Sequence, residues 1–311
     1  MRPVSLEELN AAVEDGSIDE LIRVAEAAQV KALSKIADRI CERNGVRLVL
    51  LAGASSAGKT TTAKRLCTQL RVNDRAALHL STDDYFVGPD RRPIGPDGLP
   101  DYEALACVDS DRLAADLRSL FAGSPTRLRR YDFVRQDGYD AATETRLAPD
   151  GIVVLEGIHA LNPQLSADMD DALKFRVFVE PKAQPALFAD FVLPSADARF
   201  LRRLVRDRQF RKMPPEETFA LWPKVLEGEK KWINPFRPMA DAEFDSALCY
   251  ELVVLKPYVE GLLRKAELTL GPRREIERFL RLFEHVLMAP SVVVPGNSIL
   301  RETIGGSVLD Y

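Results

Sequence analysis

The chain is poor in the residues on which metal and redox chemistry depends. Its 311 residues include four cysteines and three histidines. Cys41, Cys67, Cys107 and Cys249 stand far apart, with no C-x-x-C pair and no histidine at ligand spacing. Those spacings exclude a zinc-finger-like site and a secreted disulfide framework; inert thiols in a reducing cytosol are expected. An excess of one charge is also missing, because 43 Lys and Arg face 47 Asp and Glu for a net charge of −4. No broad electrostatic footprint for nucleic acid follows from that balance. No apolar run approaches the roughly 18 residues of a membrane span, and the acidic opening MRPVSLEELNAAVEDG has no apolar signal core. The expectation is a cytoplasmic protein with neither membrane nor nucleic acid as partner, its homo-oligomerisation left open.

What is present is an ordinary globular composition, 46% hydrophobic and 29% charged, enough for a sizeable core. Residues 5–44 read as helix, with Ser5 and Glu8 spaced as a capping box and Asn44-Gly45 as a stop. An amphipathic helix of this kind usually buries its stripe at home, although a partner-binding arm is the alternative. From Val46 the pattern alternates. VRLVLLA, AALHLST, GIVVLEG and KFRVFVE read as strands, and Thr60 to Leu70 and DSDRLAADLRSLFAG as helices. Near-continuous apolar strands separated by helices predict an α/β doubly wound parallel sheet covered on both faces. Residues 88–100, with four prolines and three glycines, form a loop. The boundaries expected are a helical extension at 1–45, a core at 46–262 and a C-terminal part at 263–311. That last part combines a helix in REIERFLRLFEHVLMAP with an irregular tail, GNSILRETIGGS.

The strongest local signal is GASSAGKTT, residues 53–61, set between a strand and a helix. Gly53, Gly58, Lys59 and Thr60 match G-x-x-x-x-G-K-[ST]. A triphosphate needs converging donors without bulky side chains in the way. The glycines let backbone N–H groups of Ala54, Ser55, Ser56 and Ala57 point inward, Lys59 adds a mobile charge, and Thr60 offers a hydroxyl to Mg²⁺. The helix that follows, beginning with Thr60 and Thr61, aims its positive end at the same place. A glycine turn with a solvated lysine is the bland alternative, which the strand-loop-helix context disfavours. A nucleotide, with Mg²⁺ on its phosphates, is therefore expected here.

Carboxylates at strand ends indicate where a phosphate could go. Asp83 and Asp84 follow the second strand, and Glu156 ends another, so all lie at the edge where such sheets bind ligands. There a carboxylate can help hold Mg²⁺ with Thr60, or accept the proton of an attacking hydroxyl. Turn-making is the plain reading of the Asp pair; an acid ending an apolar strand is costly unless it is paired. Arg199, Arg202, Arg203 and Arg206 share one face of a helix. They read either as a solvated face or as a lid, over about residues 197–235, that stabilises a transferred phosphoryl group. His79 is expected in the core; packing is likewise favoured for His159.

Together these motifs resemble the uridine kinase/phosphoribulokinase family of P-loop kinases, from about Val46 to Tyr258. The resemblance is carried by GASSAGKTT, STDDYF, YEALACVDSDRL, RYDF, LEGIHALNP and RFLRRLVRDRQFR, and is nearest to a uridine kinase-like branch; no synthetase-like module is expected before residue 46. It implies a P-loop NTPase-type sheet with a helical lid, and phosphoryl transfer from ATP to a hydroxyl. By resemblance, Asp83 is the catalytic base and Glu156 a Mg²⁺ ligand with Thr60. Tyr102 and Glu103 meet the ribose, and Tyr131 lines the base pocket. Arg203 approaches the acceptor sugar, while Arg206 and Arg211 approach the phosphates. The chain departs from the pattern at Ala104 and Gln136, where the family carries histidines, and at Glu103, where it carries aspartate. The nucleotide half matches and the acceptor half is altered. A nucleoside is the expected acceptor, with a sugar phosphate or another polyol as the alternative. An ATP-binding regulator without an acceptor is the reading from another class, for which no GTPase D-x-x-G or N-K-x-D signature is found.

Overall fold

The computed structural model describes residues 4–132, 135–182, 184–188, 191–267 and 273–310; Phe133 of the RYDF stretch lies outside them. Its centre is a five-stranded sheet of β1 (Leu48–Ala52), β2 (Ala77–Ser81), β5 (Ile152–Glu156), β6 (Lys174–Glu180) and β9 (Ala242–Asp245). The strand order is β2-β5-β1-β6-β9, and every pairing is parallel. Two ribbons stand apart from it, β3 (Arg129–Asp132) with β4 (Asp137–Asp140), and β7 (Gln184–Phe188) with β8 (Phe191–Leu193).

Strict alternation divides each central strand between two cores. In β1, Val49 and Leu51 face one core while Leu48, Leu50 and Ala52 face the other; in β5, Ile152 and Val154 oppose Val153 and Leu155. Burial on both faces is why these strands read as unbroken apolar runs. The first core is covered by α2 (Ile18–Glu42), α3 (Lys59–Val72), α5 (Ser195–Phe210), α7 (Glu251–Glu267) and α8 (Arg273–Glu284), and the second mainly by α4 (Ser110–Phe121). Also present are α1 (Leu6–Glu14), α6 (Pro215–Gly228) and the short α9 (Arg301–Ile304).

Two expectations change, one at each end of the chain. The helix expected over residues 5–44 is two, α1 and α2, because Gly16 takes a positive φ of 79° between them. The capping box at Ser5 and Glu8 does form. Both helices pack into the first core through Leu6, Leu9, Ile22, Leu33, Ile36 and Ile40, so the apolar stripe is used at home. The tail is not loose either: Ile299, Leu300 and Ile304 are buried, and Arg301–Ile304 is helical. Its polar composition conceals a handful of anchoring side chains. Among the described residues, no helix is long and apolar enough to cross a membrane.

Candidate active site

Three adjacent strands end side by side, and the chain leaves each of them with a different functional group. The order β2-β5-β1 puts Glu156, last residue of β5, between the loop leaving β1 and the turn leaving β2. The loop, residues 53–58, is shaped by two positions that need glycine. A β-carbon on Gly53 would overlap the Val179 carbonyl oxygen of β6, and Gly58 adopts φ +84° as it opens α3. Ser56 also takes a left-handed φ of 60°, the sort of strained conformation that clusters at ligand clamps. Lys59 Nζ donates to the Ala54 carbonyl at 3.2 Å, and Thr60 Oγ1 donates to Glu156 Oε1 at 2.9 Å.

Glu156 is 3% exposed. Burial pushes its carboxyl up to about 7; the Lys59 charge opposes the shift and Asp83 adds to it. A carboxylate so placed gains most from a cation. Among the described residues no three His, Cys, Asp or Glu side chains gather into a metal cage. A hydroxyl and a carboxylate side by side, as Thr60 and Glu156 stand, are the kind of donors that Mg²⁺ takes together with substrate phosphates.

The turn after β2, Thr82–Tyr85, separates the two aspartates. Asp84 pairs with Arg130 at 2.8 Å and accepts from the Tyr131 N–H, so it ties the turn to β3. Asp83 instead lies within electrostatic reach of both Glu156 and Glu103. Half-buried Glu103, whose β-carbon crowds Gly228 at the end of α6, is raised to about 7 by burial, with Arg203 and Lys59 pulling the other way. The structure thus brings Lys59, Thr60, Asp83, Glu103, Glu156 and Arg203 into one electrostatic neighbourhood.

The arginine face of α5 divides. Arg199 is spent on Glu229 (2.6 Å) and Arg202 on Glu251 (2.7 Å), both almost fully buried. Arg203 and Arg206 remain, and Asp207, which is 0% exposed, gathers them with Arg211 just past the helix end. Arg203 Nη1 donates to Ser55 Oγ at 2.9 Å, and Arg199 Nη1 to the Ser55 carbonyl, so α5 touches the loop directly. The solvated-face reading therefore fails, and half of the stripe is structural. Crowding by Arg206 pulls the Arg211 guanidinium below its usual range.

Of the other expected acceptor residues, Tyr102 is exposed, Tyr131 buried, and Gln136 exposed in the β3–β4 turn with φ 57°. One residue that sequence reasoning passed over joins them. Arg92 donates to Tyr131 Oη (2.6 Å), Gln136 Oε1 (2.9 Å) and Tyr102 Oη (3.4 Å), with its guanidinium over the Tyr102 ring. Its only signal was a pair of arginines inside a proline- and glycine-rich loop. Burial takes both His79 and His159 down to about 4; His79 Nε2 stands 3.9 Å from Glu156 Oε1, and His159 meets Trp232 edge-on.

Comparison with known proteins identifies the family. Residues 48–252 match the model of the Phosphoribulokinase / Uridine kinase family. A uridine kinase of Deinococcus deserti is 31% identical over 192 residues, spanning 61% of this chain and 83% of that protein. One from Lactobacillus johnsonii is 27% identical over 164 residues, spanning 53% and 69%. A solved structure from Silicibacter sp. TM1040, named provisionally as a fructose transport system kinase, superposes with a TM-score of 0.51 at 20% identity. It covers 68% of this chain and 98% of that one, a likeness of fold. The chain belongs to the Phosphoribulokinase / Uridine kinase family and is an ATP-dependent kinase.

Proposed function

We propose that the chain transfers the terminal phosphoryl group of ATP, with Mg²⁺, to a hydroxyl of a nucleoside. The observation that carries this reading is the order of the three strand ends, which sets Glu156 between the phosphate loop and Asp83. Loop N–H groups and Lys59 grip the phosphates. Asp83 accepts the proton of the attacking hydroxyl as the new O–P bond forms and the bond to the leaving diphosphate breaks. Glu103 holds the acceptor's sugar hydroxyls, and Tyr102, Tyr131 and Gln136 line the far end. Arg203, Arg206 and Arg211 meet the charge on the transferred group, and Asp207 holds them in register. Mg²⁺ on Thr60 and Glu156, with Asp83 close by, would neutralise phosphate charge. Most of the acceleration then comes from positioning and charge stabilisation. The uridine kinases among its relatives support the nucleoside acceptor.

One observation favours a sugar phosphate or another polyol as the second reading. Arg92 brings a planar cation among neutral partners to the acceptor end, and such a fork suits a phosphate or carboxylate. The deciding experiment is ADP release with Mg-ATP across uridine, other nucleosides, sugar phosphates and polyols. Turnover with nucleosides alone supports the first reading, and turnover confined to anionic acceptors replaces it with the second.

A further inference from the structure

The C-terminal segment lies outside the family match, yet it is built against the nucleotide loop. Several bonds fix it there. Ser298 is fully buried, and its hydroxyl meets Tyr250 Oη at 3.1 Å, which donates in turn to Glu26 of α2 at 2.6 Å. Arg301 donates to the carbonyls of Ser291, Val294 and Gly305. From this anchored turn two side chains reach the loop. Ile299 covers Gly58 so closely that a β-carbon there would stand 2.5 Å from its Cγ2. Glu302 Oε2 accepts a hydrogen bond from Thr61 Oγ1 at 2.9 Å. Between the loop, α5 and this segment is a small cavity lined by Ser56, Gly58, Arg202, Arg206, Ile299 and Glu302. Ser56 is 8% exposed, and its Oγ has no hydrogen-bond partner among the described residues.

Thr61 belongs to the first turn of α3, where backbone N–H groups lack helical partners and the helix dipole favours an anion. That same turn is where residues 53–61 receive a polyphosphate. Glu302 is an anion the chain itself supplies there. A phosphate chain entering the cradle brings further negative charge to the same turn, where it competes with that carboxylate for Lys64, Arg202 and Arg206, and like charges in a partly buried site repel appreciably. Both cannot enjoy the turn at once.

We propose that the C-terminal segment is a latch, in which Glu302 occupies the first turn of α3 and the phosphate chain of the nucleotide displaces it. This rests on the reading of residues 53–61 as the polyphosphate site. Part of the binding energy of the nucleotide is then spent on releasing Glu302, and the segment loosens as the nucleotide enters.

The test uses the full chain. Calorimetric titration with Mg-ATP and with Mg-ADP compares wild type with Glu302→Gln. Amide hydrogen exchange over residues 299–306 of the wild type is followed with and without nucleotide. The latch requires about three- to tenfold tighter binding by the variant, and faster exchange in the wild-type segment when nucleotide is present. Equal or weaker binding by Glu302→Gln, or slower exchange on adding nucleotide, overturns it and makes the segment a fixed wall. The exchange measurement needs no variant, so it decides even if Glu302→Gln folds poorly. A folded wild type that takes up no nucleotide refutes the cradle, and the latch with it; unchanged affinity in a variant of a binding protein refutes the latch alone.

Discussion

The two halves of the proposed site, its nucleotide end and its acceptor end, are made differently. The nucleotide end is a contiguous run, residues 53–61, shaped by backbone and wedged between a fully buried strand and a helix. The proposed acceptor end is assembled from side chains of separate segments. Arg92 comes from a loop, Tyr102 and Glu103 from another, and Tyr131 and Gln136 from a ribbon outside the main sheet. A site made of backbone survives side-chain change around it, whereas one made of distant side chains changes with each. The first is therefore suited to a donor that stays the same, and the second to an acceptor that differs among members of one fold.

The contrast breaks most sharply at Lys59. Lys59→Ala removes the mobile charge from a backbone-built site, so turnover should fall about a thousandfold or more while thermal unfolding stays near wild type. ADP release under saturating Mg-ATP checks it. Undiminished turnover would mean that the loop is not the donor site.

Asp83 stands where the two ends meet and should carry the next effect. Asp83→Asn keeps the shape and loses the proton acceptor, so kcat should drop about 10² to 10⁴-fold. Nucleotide affinity should stay within about threefold. Parallel losses in kcat and nucleotide affinity would place Asp83 with the donor half instead.

Glu103 gives a gentler, pH-dependent test confined to the acceptor half. Its carboxyl, ordinarily near 4.5, is raised to about 7 by burial. Only the ionised form makes a charge-assisted bond to a sugar hydroxyl, so the acceptor KM should rise as pH falls from 8 to 6, while Glu103→Gln stays flat. Stability runs the opposite way. The folded state holds the proton more tightly than the unfolded chain, so this contribution is complete below about 4.5 and is lost as pH rises through about 7. Relative to Glu103→Gln, the wild type should therefore melt progressively earlier between pH 5 and pH 8. A flat acceptor KM in the wild type would take Glu103 out of the site.

What the sequence made legible follows the same division. Strand pattern and loop spacing are local, so the parallel sheet, GASSAGKTT and the strand-ending Glu156 could be read before any fold was known. Asp83 was legible because its position beside the loop follows from strand ends sharing an edge. The partners of the arginine stripe were not, because helical spacing shows a shared face and cannot show that Glu229 and Glu251 arrive from later in the chain to occupy half of it. Arg92 was hidden for a related reason, since a loop has no periodicity from which direction can be read. The tail looked irregular because its role depends on single anchors, Ser298, Ile299 and Arg301, rather than on a repeating stripe.

Arg92 is where the smallest effect should appear, and where the comparison sharpens. Its contacts are to neutral groups, and two of the partners are exposed, so Arg92→Ala loosens the far wall of the acceptor pocket without touching the loop. The acceptor KM should rise about three- to tenfold, the size of one ordinary hydrogen bond, with kcat and the KM for ATP nearly unchanged. Steady-state kinetics with each substrate varied in turn separates these quantities. If the KM for ATP moves as much as that for the acceptor, the two ends are not independent, and a side chain from the 88–100 loop must act on the backbone cradle through the carboxylates between them. If Arg92→Lys restores the acceptor KM, a point charge suffices; if it does not, the planar fork held between Tyr131 and Gln136 is what the acceptor reads.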